Sequence, residues 1–313
     1  MKILLTSSLA AVCSGGLVYW VLSASEPSSS RESESASALT TAESVRPAAR
    51  KVTPHLVRTL IDPTLHLEEQ VEAVRSLPDD LTAEEFQGLF ALFSEPVPDH
   101  LTAAHWHTLL NEAMEVLRES RFAHHSYLPS LSVVLQDIHL DPTIRDYAAQ
   151  HLALHLSTPI LQSNPTARKQ GLEALLAAAA ARRASELQVA GTSLMALCDH
   201  FENHPGDLSA HENELGDLLG SIFEGENVSE RSLLTSAIQV AGRLQIATHR
   251  DLILALSKGE GPLAERFPSL QLSAISALGR YQHPEDRPHL EALASKASPL
   301  RFAARNALRS FDN

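Results

Sequence analysis

Sixteen histidines give this chain its first candidate chemistry. Two pairs sit four residues apart, His151 with His155 and His200 with His204. That spacing puts both imidazoles of a pair on one face of a helix. Two imidazoles so placed hold zinc when a further ligand joins them. The second pair has Asp199, Glu202, His211 and Glu212 near it in sequence, so His200, His204 and Glu212 are the candidate metal ligands. Neither pair is a His-Glu-x-x-His helix, because Glu202 falls one position late for a general base. His151 lies in an apolar stretch, where a packed, hydrogen-bonded histidine is the plainer reading. Cys198 sits in Leu194-Met195-Ala196-Leu197-Cys198 and reads as a small core residue. The other cysteine, Cys13, belongs to an apolar leader, so the folded region has no internal disulfide. Gly-x-Ser-x-Gly, a phosphate-binding Gly-rich loop, a dinucleotide fingerprint and Cys-x-x-Cys are all absent. The expectation is therefore no catalytic residue, no cofactor and no enzymatic activity.

The elements that would position these residues are helices. Ala and Leu dominate, aromatics are 5%, and no segment alternates cleanly as a strand does. From about residue 54, helical patterns are broken at Asp62-Pro63, Pro96-Val97-Pro98, Asp141-Pro142, Asn164-Pro165, Pro205-Gly206, Gly259-Glu260-Gly261-Pro262, His283-Pro284 and Ser298-Pro299. Proline recurs where a helix should begin, since its missing N–H is unneeded in the first turn. About thirteen or fourteen helices are expected on this pattern.

The helices repeat. Ser236-Ala237-Ile238-Gln239-Val240-Ala241-Gly242-Arg243-Leu244-Gln245 shares six of ten positions with Ser273-Ala274-Ile275-Ser276-Ala277-Leu278-Gly279-Arg280-Tyr281-Gln282. The match continues in register through Arg250/Arg287, Ala255/Ala292 and Leu256/Leu293. A further copy is Phe302-Ala303-Ala304-Arg305-Asn306-Ala307-Leu308. A period of roughly 30–45 residues with two helices each signifies an α-solenoid. Alanines 237, 241, 274, 277, 304 and 307 allow close helix approach, and Ile238, Ile275, Leu278 and Leu308 fill the seams. Gly242 and Gly279 read as helix C-terminal stops.

These segments, with His283-Pro284-Glu285-Asp286, Leu290-Glu291-Ala292-Leu293 and Asp141-Pro142-Thr143-Ile144-Arg145, resemble the HEAT-repeat family in its phycobilisome-lyase-like variety. The resemblance implies stacked antiparallel helix pairs that scaffold other macromolecules; it does not imply lyase activity. Ser298-Pro299-Leu300-Arg301 departs from the pattern by lacking the turn aspartate. The expected fold is all-α, a HEAT-like superhelix over 51–313.

Two segments precede it. Ile3 to Ala24 carry no charge, with Lys2 before them and Tyr19-Trp20 near the far end. As a helix they would reach about 33 Å, enough for a bilayer core. Residues 1–24 therefore read as a signal peptide or a retained membrane anchor, with the bulk of the chain on the exported, periplasmic or extracytoplasmic side. Residues 25–50, rich in Ser and Glu, read as a disordered linker.

Net charge is −13, and residues 1–50 balance to zero, so the excess lies in the folded region. That opposes general nucleic-acid binding, because a phosphate backbone would be repelled. Residues 184–230 hold ten acids and no Lys or Arg, whereas 266–313 is basic. The function expected is a non-enzymatic, protein-binding scaffold, tethered to a membrane if the leader is retained. Its candidate contact positions are Arg243, Arg280, Arg305 and Arg309, with Gln239 and Ser276 beside them. The alternatives are a metal protein or metal-dependent enzyme using the His200/His204 region, and a nucleic-acid-binding HEAT protein. No small-molecule substrate is evident.

Overall fold

The computed structural model describes residues 62–78, 81–120, 126–181, 183–225 and 231–312. All belong to one compact unit, Val52–Asn313. The leader over 1–24 and the linker over 25–50 lie outside the described residues. Among the described residues every regular element is helical. In chain order they are α1 (Leu67–Arg75), α2 (Ala83–Leu92), α3 (Ala103–Glu119), α4 (Tyr127–Gln136), α5 (Pro142–Leu156), α6 (Pro159–Gln162), α7 (Pro165–Ala179) and α8 (Leu187–Asn203). There follow α9 (Pro205–Glu224), α10 (Arg231–Arg243), α11 (Arg250–Lys258), α12 (Pro262–Arg266), α13 (Leu270–Tyr281), α14 (Arg287–Ser295) and α15 (Leu300–Arg309). The two shortest, α6 and α12, are absent from the sequence pattern as separate elements, because one helical turn shows no apolar period.

Local chemistry starts the helices where the sequence places them. Pro142, Pro159, Pro165, Pro205 and Pro262 each open one. The Asp141 carboxylate accepts from the Thr143 N–H at 2.7 Å and the Asn164 side chain from the Ala167 N–H at 3.1 Å. Each bond satisfies an N–H that the first helical turn leaves without an acceptor. Thr82 and Glu85 form a reciprocal capping box ahead of α2.

Two layers result. In the first row, α1, α3, α5, α8, α10, α13 and α15 each pack on the next. In the second, α2, α4, α7, α9, α11 and α14 lie against that row, and α9 touches both α8 and α10, as α11 touches both α10 and α13. This is the HEAT-like stack of antiparallel helix pairs expected from the repeat. The seams are apolar: Ala237, Ile238, Ala241, Ala274, Ile275, Leu278 and Ala304 are fully buried. Each Ile or Leu so buried contributes about 1.5–3 kcal/mol relative to exposure.

Gly242 and Gly279 do not stop their helices. The helices run on to Arg243 and Tyr281, and the left-handed residues are Gln245 (φ 53°) and Gln282 (φ 52°). The glycines are where first-row helices touch. A Cβ on Gly242 would lie 2.6 Å from the Ala277 Cβ, and one on Gly279 would lie 2.6 Å from the Ala307 Cα.

Candidate functional site

The end of α8 and the start of α9 hold the predicted histidine pair. Pro205 ends the α8 register at His204 and returns the chain as α9, so Asp207 comes back onto His200. His200 Nε2 lies 2.8 Å from Asp207 Oδ2, and the His200 and His204 rings stack with centroids 4.3 Å apart. His204 Nδ1 donates to the His200 carbonyl at 2.9 Å, which leaves its Nε2 to accept from the Gln162 amide at 3.3 Å. Arg168 Nε stands 3.3 Å from the same Asp207 oxygen. Burial lowers the His200 pKa, and the Asp207 bond only partly opposes it. The buried His200 Nδ1 has no hydrogen-bond partner among the described residues.

Asp207, not Glu212, therefore supplies the carboxylate at His200. Glu212 is exposed on α9, while His211 bonds Glu214 at 3.1 Å. Among the described residues no three His, Cys, Asp or Glu side chains are grouped to hold a metal ion. What the arrangement does is tie α6, α7, α8 and α9 together at one corner of the stack.

The other pair is packed, as its apolar setting implied. His151 is buried, with Nε2 3.2 Å from Asn111 Oδ1, and burial pulls its pKa down to about 4. His155 meets Tyr127 edge to face at 5.0 Å. Cys198 is fully buried, and burial pushes its thiol up to about 12. A thiol that stays protonated is not a nucleophile.

The candidate contact arginines divide. Arg243 is bound within the stack: it donates to Asp199 Oδ1 at 2.7 Å and through Nε to Glu202 Oε1 at 2.8 Å. The bond to Glu202 raises its pKa and holds the Glu202 carboxyl below its usual range. Arg280, Arg305 and Arg309 are exposed on α13 and α15. None of the three has a carboxylate within ion-pair distance among the described residues. Gln239 and Ser276 sit at one repeat position on the outer surface of the first row, half-buried and exposed respectively.

Four polar links between repeats were not foreseen. Arg250 grips the fully buried Asp286 carboxylate with two bonds, of 2.6 and 3.1 Å. Gln245 donates from its side chain to the Arg280 carbonyl at 2.8 Å, and Gln282 donates likewise to the Ser310 carbonyl. Tyr281 reaches back to the Ile246 carbonyl at 2.8 Å. The sequence signal for the arginine and glutamine links was the repeat itself, which matches Arg250 to Arg287 and Gln245 to Gln282. Elsewhere, a groove of about 550 Å³ lies along Leu135, Ile138, Ala178, Arg145 and Glu186. Its charges are internal, because buried Arg145 lies 3.3 Å from buried Glu186 and donates to the Leu135 carbonyl at 2.9 Å.

No family model and no curated protein matches this chain. The phycobilisome-lyase-like variety of the repeat thus gains no support beyond the segments that suggested it. Among solved structures, human deoxyhypusine hydroxylase in complex with glycerol is similar, at 16% identity and a TM-score of 0.32. The match covers 82% of this chain and 94% of that one. The expectation of no enzymatic activity is corrected on this finding, because the similar structure is an enzyme's. Missing hydrolase and nucleotide motifs say nothing about chemistries that do not use them. A likeness this distant assigns this chain no reaction.

Proposed function

We propose that this chain binds another protein along the outer surface of its first-row helices, from the exported side of a membrane to which residues 3–24 deliver it. One observation carries the binding reading. Successive first-row helices present the same repeat positions to solvent, Gln239, Ser276 and Asn306 in one line and Leu272 with Phe302 in another. Extended surfaces of stacked repeats suit long partner segments, because each repeat adds contacts of the same geometry. The uncharged run from Ile3 to Ala24 supports the address.

The test is a photo-crosslinking side chain placed singly at positions 239, 276 and 306, and for contrast at second-row positions 217 and 292, in the full chain within its source cells. The reading expects adducts to a different polypeptide from first-row positions only. Adducts of the chain with itself alone, or equal adducts from both rows, refute it.

The rival reading, a metal protein using His200 and His204, is separated by elemental analysis of the purified full chain. With Asp207 on His200 and the His200 carbonyl on His204, well under one zinc per chain is expected. One zinc per chain, lost in His200→Ala, would favour the rival.

A further inference from the structure

The helix α15 interrupts the repeat at two seam positions. The contact of Gly242 with Ala277 recurs as that of Gly279 with Ala307, so the structure aligns Ala277 with Ala307. In that register Leu272 corresponds to Phe302, Ile275 to Arg305, Ser276 to Asn306 and Gly279 to Arg309. Ile275 is fully buried and Gly279 accepts the next helix, but Arg305 and Arg309 are exposed. Arginines at those positions bar a further helix from stacking in register, because the contact needs a residue with no side chain. The far face of α15 is therefore a surface built for solvent or for a different kind of contact.

The chemistry of that surface is specific. Phe302, Arg305, Asn306 and Arg309 follow helical spacing and form one stripe. Phe302 is 62% exposed, and Leu272, at its repeat position on α13, is 45% exposed. The Arg301 guanidinium lies over the Phe302 ring, 4.8 Å from its centroid, and the buried Arg301 Nε has no hydrogen-bond acceptor among the described residues. Arg280 is a further exposed guanidinium, on α13, within electrostatic reach of Glu202. Among the described residues no carboxylate lies within ion-pair distance of Arg280, Arg301, Arg305 or Arg309. Seven other arginines are matched, Arg75 to Glu112, Arg118 to Glu115, Arg145 to Glu186, Arg168 to Asp207, Arg243 to Glu202, Arg250 to Asp286 and Arg287 to Asp312, whereas Arg183 and Arg231 stand apart from the surface of α13 and α15 and likewise form no ion pair among the described residues. A chain of net charge −13 has acids in excess, and still leaves these four outside any ion pair among the described residues.

Resting on the protein-binding reading above, we infer that the outer surface of α13 and α15 is a docking site for an acidic protein segment carrying an apolar side chain. Its carboxylates pair with Arg280, Arg305 and Arg309, and its apolar residue packs on Phe302 and Leu272. Aromatic residues, Phe among them, and arginine are enriched at the cores of interfaces.

The test uses the full chain and short labelled peptides followed by fluorescence anisotropy: one of Glu and Asp with Leu every fourth position, and its Lys counterpart. The acidic peptide is expected to bind, with affinity that falls as salt rises, and the Lys peptide is not. Reversing charge in Arg305→Glu/Arg309→Glu is expected to weaken binding about tenfold or more, as is Phe302→Ala. Both variants should unfold at the wild-type urea midpoint, because these side chains are exposed. Equal binding of the two peptides, no binding of the acidic one, or binding untouched by the charge reversal overturns the site. So does sedimentation showing copies held together through Arg305 and Arg309 in place of peptide binding. If the peptide fails while first-row crosslinks to a partner persist at positions 239 and 276, this site falls and the protein-binding reading stands. If those crosslinks are also missing, both fall.

Discussion

Replacing Gly279 with alanine isolates what holds first-row helices together. Gly279 lies inside α13, where glycine costs about 1 kcal/mol relative to alanine, so the helix alone would gain from the change. The neighbour reverses the sign. The new Cβ would stand 2.6 Å from the Ala307 Cα, 2.7 Å from its Cβ and 3.0 Å from its carbonyl oxygen. Carbon atoms rest about 3.5–4.0 Å apart, so α15 must retreat by roughly 1 Å. The atoms met belong to backbone and to a Cβ, and neither can rotate away. Overpacking of this kind costs ~1–3 kcal/mol, which leaves a net change between about zero and a loss of roughly 2 kcal/mol after the helical gain. Gly242→Ala should behave alike, since its Cβ would meet Ala277 at 2.6 Å. Gly191 supplies the contrast. It too is buried inside a first-row helix, but the nearest atom to its added Cβ is Ser236 Oγ at 3.5 Å. Gly191→Ala should therefore be neutral or stabilise by up to about 1 kcal/mol. Urea unfolding of the three variants, followed by circular dichroism, reads the difference. A gain in Gly279→Ala and Gly242→Ala as large as that in Gly191→Ala, or an equal loss in all three, would refute the close-contact account.

Asp286→Ala should cost roughly 2–4 kcal/mol, because it strips Arg250 of its principal partner at a buried seam, and Asp286→Asn should cost less; the same urea assay checks both, and an unchanged midpoint contradicts the link. His151 binds a proton at pH about 6.5 unfolded and about 4 folded, so the unfolded state holds more protons between those values. Stability contributed by its burial is complete above that window and falls as pH drops through it, by at most roughly 3 kcal/mol. His151→Gln should flatten that slope, and an unchanged slope would place the titration elsewhere. Cys198 should resist a thiol reagent in the native chain at mildly alkaline pH and react once urea unfolds it; fast native reaction would mean that the α8 seam opens.

The helix-pair stack was legible because its determinants are local and repeated. Six identities in ten residues, proline at the first helical position and alanine at fixed intervals each survive translation along the chain, and burial of Ala274, Ile275 and Ala304 follows from them. The role of Gly242 and Gly279 was not legible. A helix stop and a helix contact both demand a missing side chain, and only the distance to Ala277 or Ala307 separates the two. The left-handed turn fell instead to Gln245 and Gln282, whose side chains offset the strain by donating into the next repeat.

The histidine pair shows the same limit for a site. Spacing placed His200 and His204 on one helix face, and the structure stacks their rings, so the sequence rule held as far as it reached. It could not say where the ring nitrogens point. Those directions are set by the chain reversal at Pro205, which returns Asp207 to His200 and leaves Glu212 a further turn along α9 in solvent. Absence of motifs was weaker still as a guide, since the inference to no enzymatic activity rested on what was missing, and missing motifs say nothing of chemistries that do not use them. The arginines carry the opposite lesson. Arg243, Arg305 and Arg309 look alike in the sequence, but Arg243 is bound by Glu202 and Asp199 while α15 leaves the other two to solvent. Net charge cannot distinguish a matched guanidinium from an unmatched one; the stack does, by deciding which carboxylates each arginine can reach, and the unmatched ones are where a partner's acids would be worth most.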